Sequence, residues 1–182
     1  MKKIIKYILI IVIVIIALFV AKFLLTFIPE DNGQENQMVE NTVIGDKGDM
    51  KVQFAEDIIG KLKIPKLNIE AEIKEGTDLD TLASYIGHFK NTPLWDGNVA
   101  LASHNRGSQV VHYFEGIHLL QEGDEIIYIT NLGERRYSVY NTKEIESTDW
   151  SVTADTEENI LTLITCVANQ PEKRLCVQAK EV

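Results

Sequence analysis

The chain has 182 residues, 45% of them apolar, with 18 basic against 27 acidic side chains and a net charge of −9. That length allows one compact domain with an appendage, and the acidic balance excludes nucleic acid as the main partner, because phosphate binding calls for a basic surface. The apolar residues are unevenly placed: 23 of the first 28 are apolar, which argues against a soluble cytoplasmic protein.

Residues 1–6 carry Lys2, Lys3 and Lys6 and read as a short cytoplasmic start. Tyr7 to Ala21 is uninterruptedly apolar, and after Lys22 the run resumes to Ile28. As a helix, residues 7–28 would extend about 33 Å, enough to cross a bilayer core of about 30 Å. Lys22 lies near the outer end, where its stem can snorkel to the headgroups. A cleaved signal peptide is the competing reading, but the run is long and no Ala-x-Ala-type site follows it. The expectation is therefore a single-pass transmembrane signal anchor in the cell membrane. The basic start stays inside and everything C-terminal lies outside.

Residues 29–56 lack periodicity and are polar, as in Glu30-Asp31-Asn32-Gly33-Gln34-Glu35-Asn36-Gln37. They read as a flexible acidic linker. Residues 57–182 are enough for one hydrophobic core. Short β-branched runs recur there between turn signals, which predicts a mostly β barrel or sandwich. The expected strands are Ile58–Ile64, Ile69–Ile73, Asn98–Ser103, Glu125–Thr130, Arg136–Thr142, Ile160–Thr165 and Arg174–Ala179. Short helices are expected near Leu79–Tyr85, capped by Asp78 or Thr77, and near Val110–Gly116.

Two cysteines, Cys166 and Cys176, fall in this part. Cys166 ends an apolar strand where it runs into a loop, a usual place for a reactive group. Cys176 lies within the next strand and reads as a small buried hydrophobe. Outside a membrane, a pair also suggests a disulfide. Spacing alone leaves a disulfide, a catalytic thiol and two inert thiols open. No Cys-x-x-Cys pair exists and the four histidines are scattered, so no metal or cofactor is expected. A catalytic thiol needs a proton-handling partner and a group that stabilises the oxyanion. His104 ends the strand Val99-Ala100-Leu101-Ala102-Ser103 and suits the first role. Arg174 opens the strand after Cys166, so a hairpin return would set its guanidinium beside the thiol. Arg174 and Cys176 share one face through the strand period of two, which places Cys176 one layer below Cys166. A Cys166–Cys176 disulfide would then silence the nucleophile until reduced, although a buried free thiol is the default. His88, His112 and His118 read as structural or surface histidines, and Trp95 and Trp150 as packing or loop residues.

Five stretches resemble the sortases, the cysteine transpeptidases of Gram-positive cell surfaces. In order they are Ile64-Pro65-Lys66-Leu67-Asn68-Ile69 after Ile59-Gly60; Glu75-Gly76-Thr77; Gly87-His88 with Gly97-Asn98; Leu101-Ala102-Ser103-His104; and Thr162-Leu163-Ile164-Thr165-Cys166 with Arg174-Leu175. The resemblance implies an eight-stranded sortase-type β-barrel with short helices over 57–182. It also implies a membrane-anchored enzyme that cleaves the Thr–Gly bond of LPXTG-like sorting signals through a thioester on Cys166. His104 would act as acid and base, Arg174 would support the oxyanion, and Thr165 and Ser103 would contact substrate. Sorting-signal proteins and a cell-wall precursor amine are the implied partners. Class D is the nearest subclass and class A the second, although Val167-Ala168-Asn169 departs from the Tyr-Pro-Phe that often follows a class D cysteine. The rival readings are an anchored cysteine peptidase that uses water as acceptor, and a non-catalytic surface β-domain held by a disulfide.

Overall fold

A computed structural model describes residues 53–182. The expected cytoplasmic start, membrane span and most of the linker lie outside the described residues. Among the described residues, no helix is long and apolar enough to cross a membrane.

Eight strands close into one barrel: β1 (Ile58–Ile64), β2 (Ile69–Glu75), β3 (Ile86–His88), β4 (Asn98–Ala102), β5 (Glu125–Thr130), β6 (Gly133–Glu146), β7 (Ile160–Val167) and β8 (Gln170–Glu181). Around the wall the order is β1-β2-β3-β4-β7-β8-β6-β5, with β5 returning to β1. Neighbours are antiparallel except β2/β3 and β4/β7. The alternation expected of half-buried strands is what fills the barrel. Leu62 and Ile64 of β1, Val99 and Leu101 of β4, Leu161 and Leu163 of β7, and Val177 and Ala179 of β8 all point into one cluster. Phe114 and Ile117, from the β4–β5 connection, join the same cluster.

Most of the expected strands are present, and β1 and β5 have the expected bounds. β3 was missed: three residues, Ile86-Gly87-His88, are too few to show a period. β6 runs twice as far as expected, because its charged residues alternate over a half-exposed wall and lack an apolar signature. The expected helix at Leu79–Tyr85 is α1 (Leu79–Ser84), capped by Asp78, whose carboxylate accepts from the Thr81 amide at 3.0 Å. Val110–Gly116 forms turns rather than a helix, followed by a 3-10 turn at Ile117–Leu119. There the backbone is drawn into tertiary bonds instead: Val111 N–H donates to the Ala83 carbonyl at 3.0 Å and Phe114 N–H to the His104 carbonyl at 3.1 Å.

His88 is buried in the wall with both ring nitrogens occupied, Nδ1 by Glu75 at 3.1 Å and Nε2 by the Pro93 carbonyl at 3.0 Å. That agrees with its reading as a structural histidine. Beside it, Gly87 marks a close approach. A Cβ there would lie 2.3 Å from the Gly76 carbonyl oxygen and 2.8 Å from a methyl of Leu82 on α1. Gly87 therefore lets α1 lie flat against β3. Gly87→Ala should lower stability by about 1–3 kcal/mol, the usual cost of overpacking, as read by urea denaturation; an unchanged midpoint would mean that α1 shifts freely.

Candidate active site

Cross-strand pairing on the outer face of β4, β7, β8 and β6 arranges side chains in transverse rows. In the first row Cys166 lies opposite Arg174, and Arg174 opposite Ile145. The hairpin return expected from sequence is thus the register found. The parallel β4/β7 ladder ends at Ala102↔Ile164. His104 follows two residues after the end of that ladder on one strand, as Cys166 does on the other. His104, Cys166 and Arg174 line a single groove of about 230 Å³. Cys166 is exposed, while His104 and Arg174 are half-buried.

The second row forms the floor: Ala102, Ile164 and Cys176 in register across three strands. Ile164 and Cys176 pack with Ile145, Val152 and Phe89 in a small apolar cluster separate from the barrel interior. Polar side chains of the next two rows, Thr162 and Gln178 in the third and Asn98 in the fourth, hold the β6–β7 connection down. Thr162 Oγ1 donates to Asn98 Oδ1 at 2.7 Å, and Gln178 Nε2 donates to Thr162 Oγ1 at 3.2 Å. Asn98 Nδ2 donates to the carbonyls of Val152 and Ala154 at 2.8 and 2.9 Å. With these buried donors and acceptors satisfied, the connection is anchored over the sheet instead of hanging free. It presents Trp150 to the groove, 57% exposed and edge-on to Phe89 with ring centroids 5.8 Å apart. Thr77 and Leu82 form the opposite wall.

Local electrostatics separate the two thiols. Cys176 is fully buried, and that burial pushes its thiol up to about 11, so it stays protonated at neutral pH. Asp149, on the groove rim, is held below the usual carboxylate range by hydrogen bonds from the Ser151 hydroxyl and the Ser151 amide. Arg174 Nη1 donates to the carbonyls of Pro171 at 2.8 Å and Lys173 at 2.7 Å. A guanidinium has five N–H donors, so this anchoring leaves Nε and Nη2 to engage a ligand. Among the described residues, no group of three His, Cys, Asp or Glu side chains converges as a metal site.

The expected site residues therefore come together, with distinctions among them. Thr165 is buried and its hydroxyl donates to the Ser103 carbonyl at 2.7 Å. Ser103 is also buried, and its own hydroxyl has no protein partner. Both cysteines are free. Cys166 and Cys176 are diagonal neighbours, a relation of roughly 7–8 Å between Cα atoms, and a disulfide cannot span more than about 7 Å without backbone movement. The register thus opposes the silencing disulfide. Sequence reasoning passed over Asn105, whose side-chain amide donates to the Cys166 carbonyl at 2.5 Å. Trp150, read as a packing or loop residue, is both: it lies in the β6–β7 connection, packs on Phe89 and lines the groove. Adjacency to His104 was the available signal for Asn105; nothing in the sequence marks which loop aromatic reaches the groove.

A sortase-domain family model matches residues 62–182. Sortase D of Bacillus subtilis (strain 168) is 34% identical over 131 residues, covering 68% of this chain and 63% of that protein. Sortase A of Bacillus anthracis is 31% identical over 126 residues, covering 69% of this chain and 60% of that protein. The matched region thus spans somewhat less than two thirds of the length of these curated relatives. Among solved structures, a Clostridium perfringens Sortase D5 transpeptidase superimposes with a TM-score of 0.62 at 33% identity, over 69% of this chain and 79% of that one.

The contrast between the thiols is directly measurable. Iodoacetamide at pH 8 should add one label to the native protein, at Cys166, and two in urea. Equal labelling of both thiols in the native state would contradict the buried placement of Cys176.

Proposed function

The chain belongs to the sortase family, and from that premise we propose that it is a membrane-anchored cysteine transpeptidase acting on LPXTG-like sorting signals. The observation that carries this reading is the first row of the outer sheet, with Cys166 opposite Arg174 and His104 entering the same groove. A thiol with a neighbouring imidazole and guanidinium has the three parts that acyl transfer requires: nucleophile, proton carrier and oxyanion support.

In the proposed reaction the Cys166 thiolate attacks the carbonyl carbon of the Thr–Gly bond. Arg174 donates to the oxygen that becomes negative, through the N–H groups not held by Pro171 and Lys173. As the tetrahedral intermediate collapses, His104 gives its proton to the departing glycine nitrogen, and a thioester remains on Cys166. An incoming cell-wall precursor amine then attacks the thioester, its proton passes to His104, and the thiolate is released. Ser103 and Thr165 line the groove and contact the peptide through atoms other than their hydroxyls, which are buried.

The groove suits a side chain or two of an extended peptide. Its volume is below the roughly 300–1,000 Å³ of small-molecule sites, and its floor and one wall are apolar. Residues 7–28 serve as the membrane anchor in this proposal, with 29–56 as the tether and 57–182 as the extracytoplasmic catalytic domain.

The test is to mix the full-length chain in detergent with an LPQTG-type peptide and a glycine-based amine, quench in acid and measure intact mass. The expected result is a peptide thioester on Cys166 together with an amine-ligated product. Hydrolysed peptide without ligation would instead favour a peptidase. Cys166→Ala should abolish the adduct. Arg174→Ala should reduce turnover by roughly 100-fold or more, the usual cost of losing one oxyanion donor. Cys176→Ser should leave acyl-enzyme formation intact, and a loss as deep as that of Cys166→Ala would mean that the wrong thiol had been chosen.

A further inference from the structure

Cys166 sits at the end of its regular pairing: it still faces Arg174 on β8 but has no ladder partner on β4. The β4/β7 pairing stops at Ala102↔Ile164, two residues before it, and the β7/β8 register breaks at a bulge between Cys166 and Val167. A nucleophile at such a point has a backbone held by regular sheet bonding on one side only, yet acyl transfer depends on tight placement of the reacting atoms. Side chains replace the missing ladder. Thr165 Oγ1 donates to the Ser103 carbonyl at 2.7 Å, Asn105 Nδ2 donates to the Cys166 carbonyl at 2.5 Å, and Arg106 Nη1 donates to Asn169 Oδ1 at 3.2 Å. These three bonds join residues 103–106, which carry His104, to residues 165–169, which carry Cys166. The middle one is made to the nucleophile's own peptide unit.

From this seam we infer that Asn105 is a positioning residue, holding the Cys166 peptide unit at a set distance from His104 across the gap in the sheet. It does not touch the reacting atoms. Its amide supplies the donor that a strand N–H would supply elsewhere in the ladder. The Thr165 and Arg106 bonds on either side keep the two segments aligned if Asn105 is changed, so its loss should loosen the thiol without unravelling the fold. The inference rests on the transpeptidase reading for its consequence in turnover, but not for its effect on the thiol itself.

Asn105→Asp is the sharpest probe. It keeps the shape and replaces the donor with an acceptor facing the Cys166 carbonyl. Asn105→Ala removes the side chain, and Asn105→Gln restores an amide. In the full-length chain, Asn105→Asp and Asn105→Ala should lower kcat by roughly 10- to 100-fold, the scale of a small misplacement of reacting groups. KM should stay within about twofold and the thermal midpoint should not move, and Asn105→Gln should recover part of the loss. Alkylation of Cys166 by iodoacetamide, read by intact mass, should slow in the same order. Wild-type kcat and alkylation in Asn105→Asp would overturn the proposal. So would a loss that tracks a falling thermal midpoint and is not recovered by Asn105→Gln. A wild-type chain that alkylates normally but never joins peptide to amine would instead unseat the transpeptidase reading, with the alkylation series still deciding the role of Asn105.

Discussion

Parallel pairing between β4 and β7 sends the C-terminal ends of both strands out of the barrel side by side, and the contents of the groove follow from it. Val99↔Leu161 and Leu101↔Leu163 are buried on the inner face, where each pair is packed among the residues of the main core. A slip of β4 by one residue would turn Val99 and Leu101 outward and His104 inward. The register that places His104 near Cys166 is thus enforced by the hydrophobic core, which lies on the opposite side of the sheet. The antiparallel β7/β8 hairpin adds Arg174 through the same constraint, since Leu163↔Val177 and Leu161↔Ala179 anchor that ladder from the inside.

The outer face of the same strands has to satisfy a different requirement. It is partly covered by the β6–β7 connection, and its polar groups would be left without water were they not bonded to one another. The run Asn98–Thr162–Gln178 meets that need and grips the Val152 carbonyl at the same time. Burying Cys176 and Ile164 beneath Val152 then completes an apolar floor. Chemistry, floor and anchor occupy successive levels of one sheet face, because strand spacing repeats side chains at regular steps.

Much of this was legible in the chain. Strand alternation gave a mostly β barrel or sandwich, the resemblance chose the barrel, and the short interval between Cys166 and Arg174 gave the hairpin that sets them opposite each other. What remained hidden depended on contacts distant in sequence. β3 is three residues long and owes its existence to pairing with β2 and β4. The charged length of β6 is held by partners on both sides, while Arg135, ion-paired to Asp96 and stacked 4.1 Å from the Trp95 ring centroid, covers part of its surface. The Val110–Gly116 segment has an apolar content that suits a helix. Its amides instead bond the Ala83 and His104 carbonyls, and Phe114 enters the barrel. Asn105 offers only its adjacency to His104, because its importance lies in which carbonyl it reaches.

The closed wall also restricts how an extended chain can be captured. In an open sheet, a peptide can add itself as another strand and gain main-chain hydrogen bonds whatever its sequence. Among the described residues every strand has two neighbours along much of its length, so that generic source of affinity is reduced. A peptide arriving at the groove must be held largely by side-chain complementarity along Trp150, Leu82 and the apolar floor. Under the proposed transpeptidase reading, discrimination then rests on a few side chains of the guest.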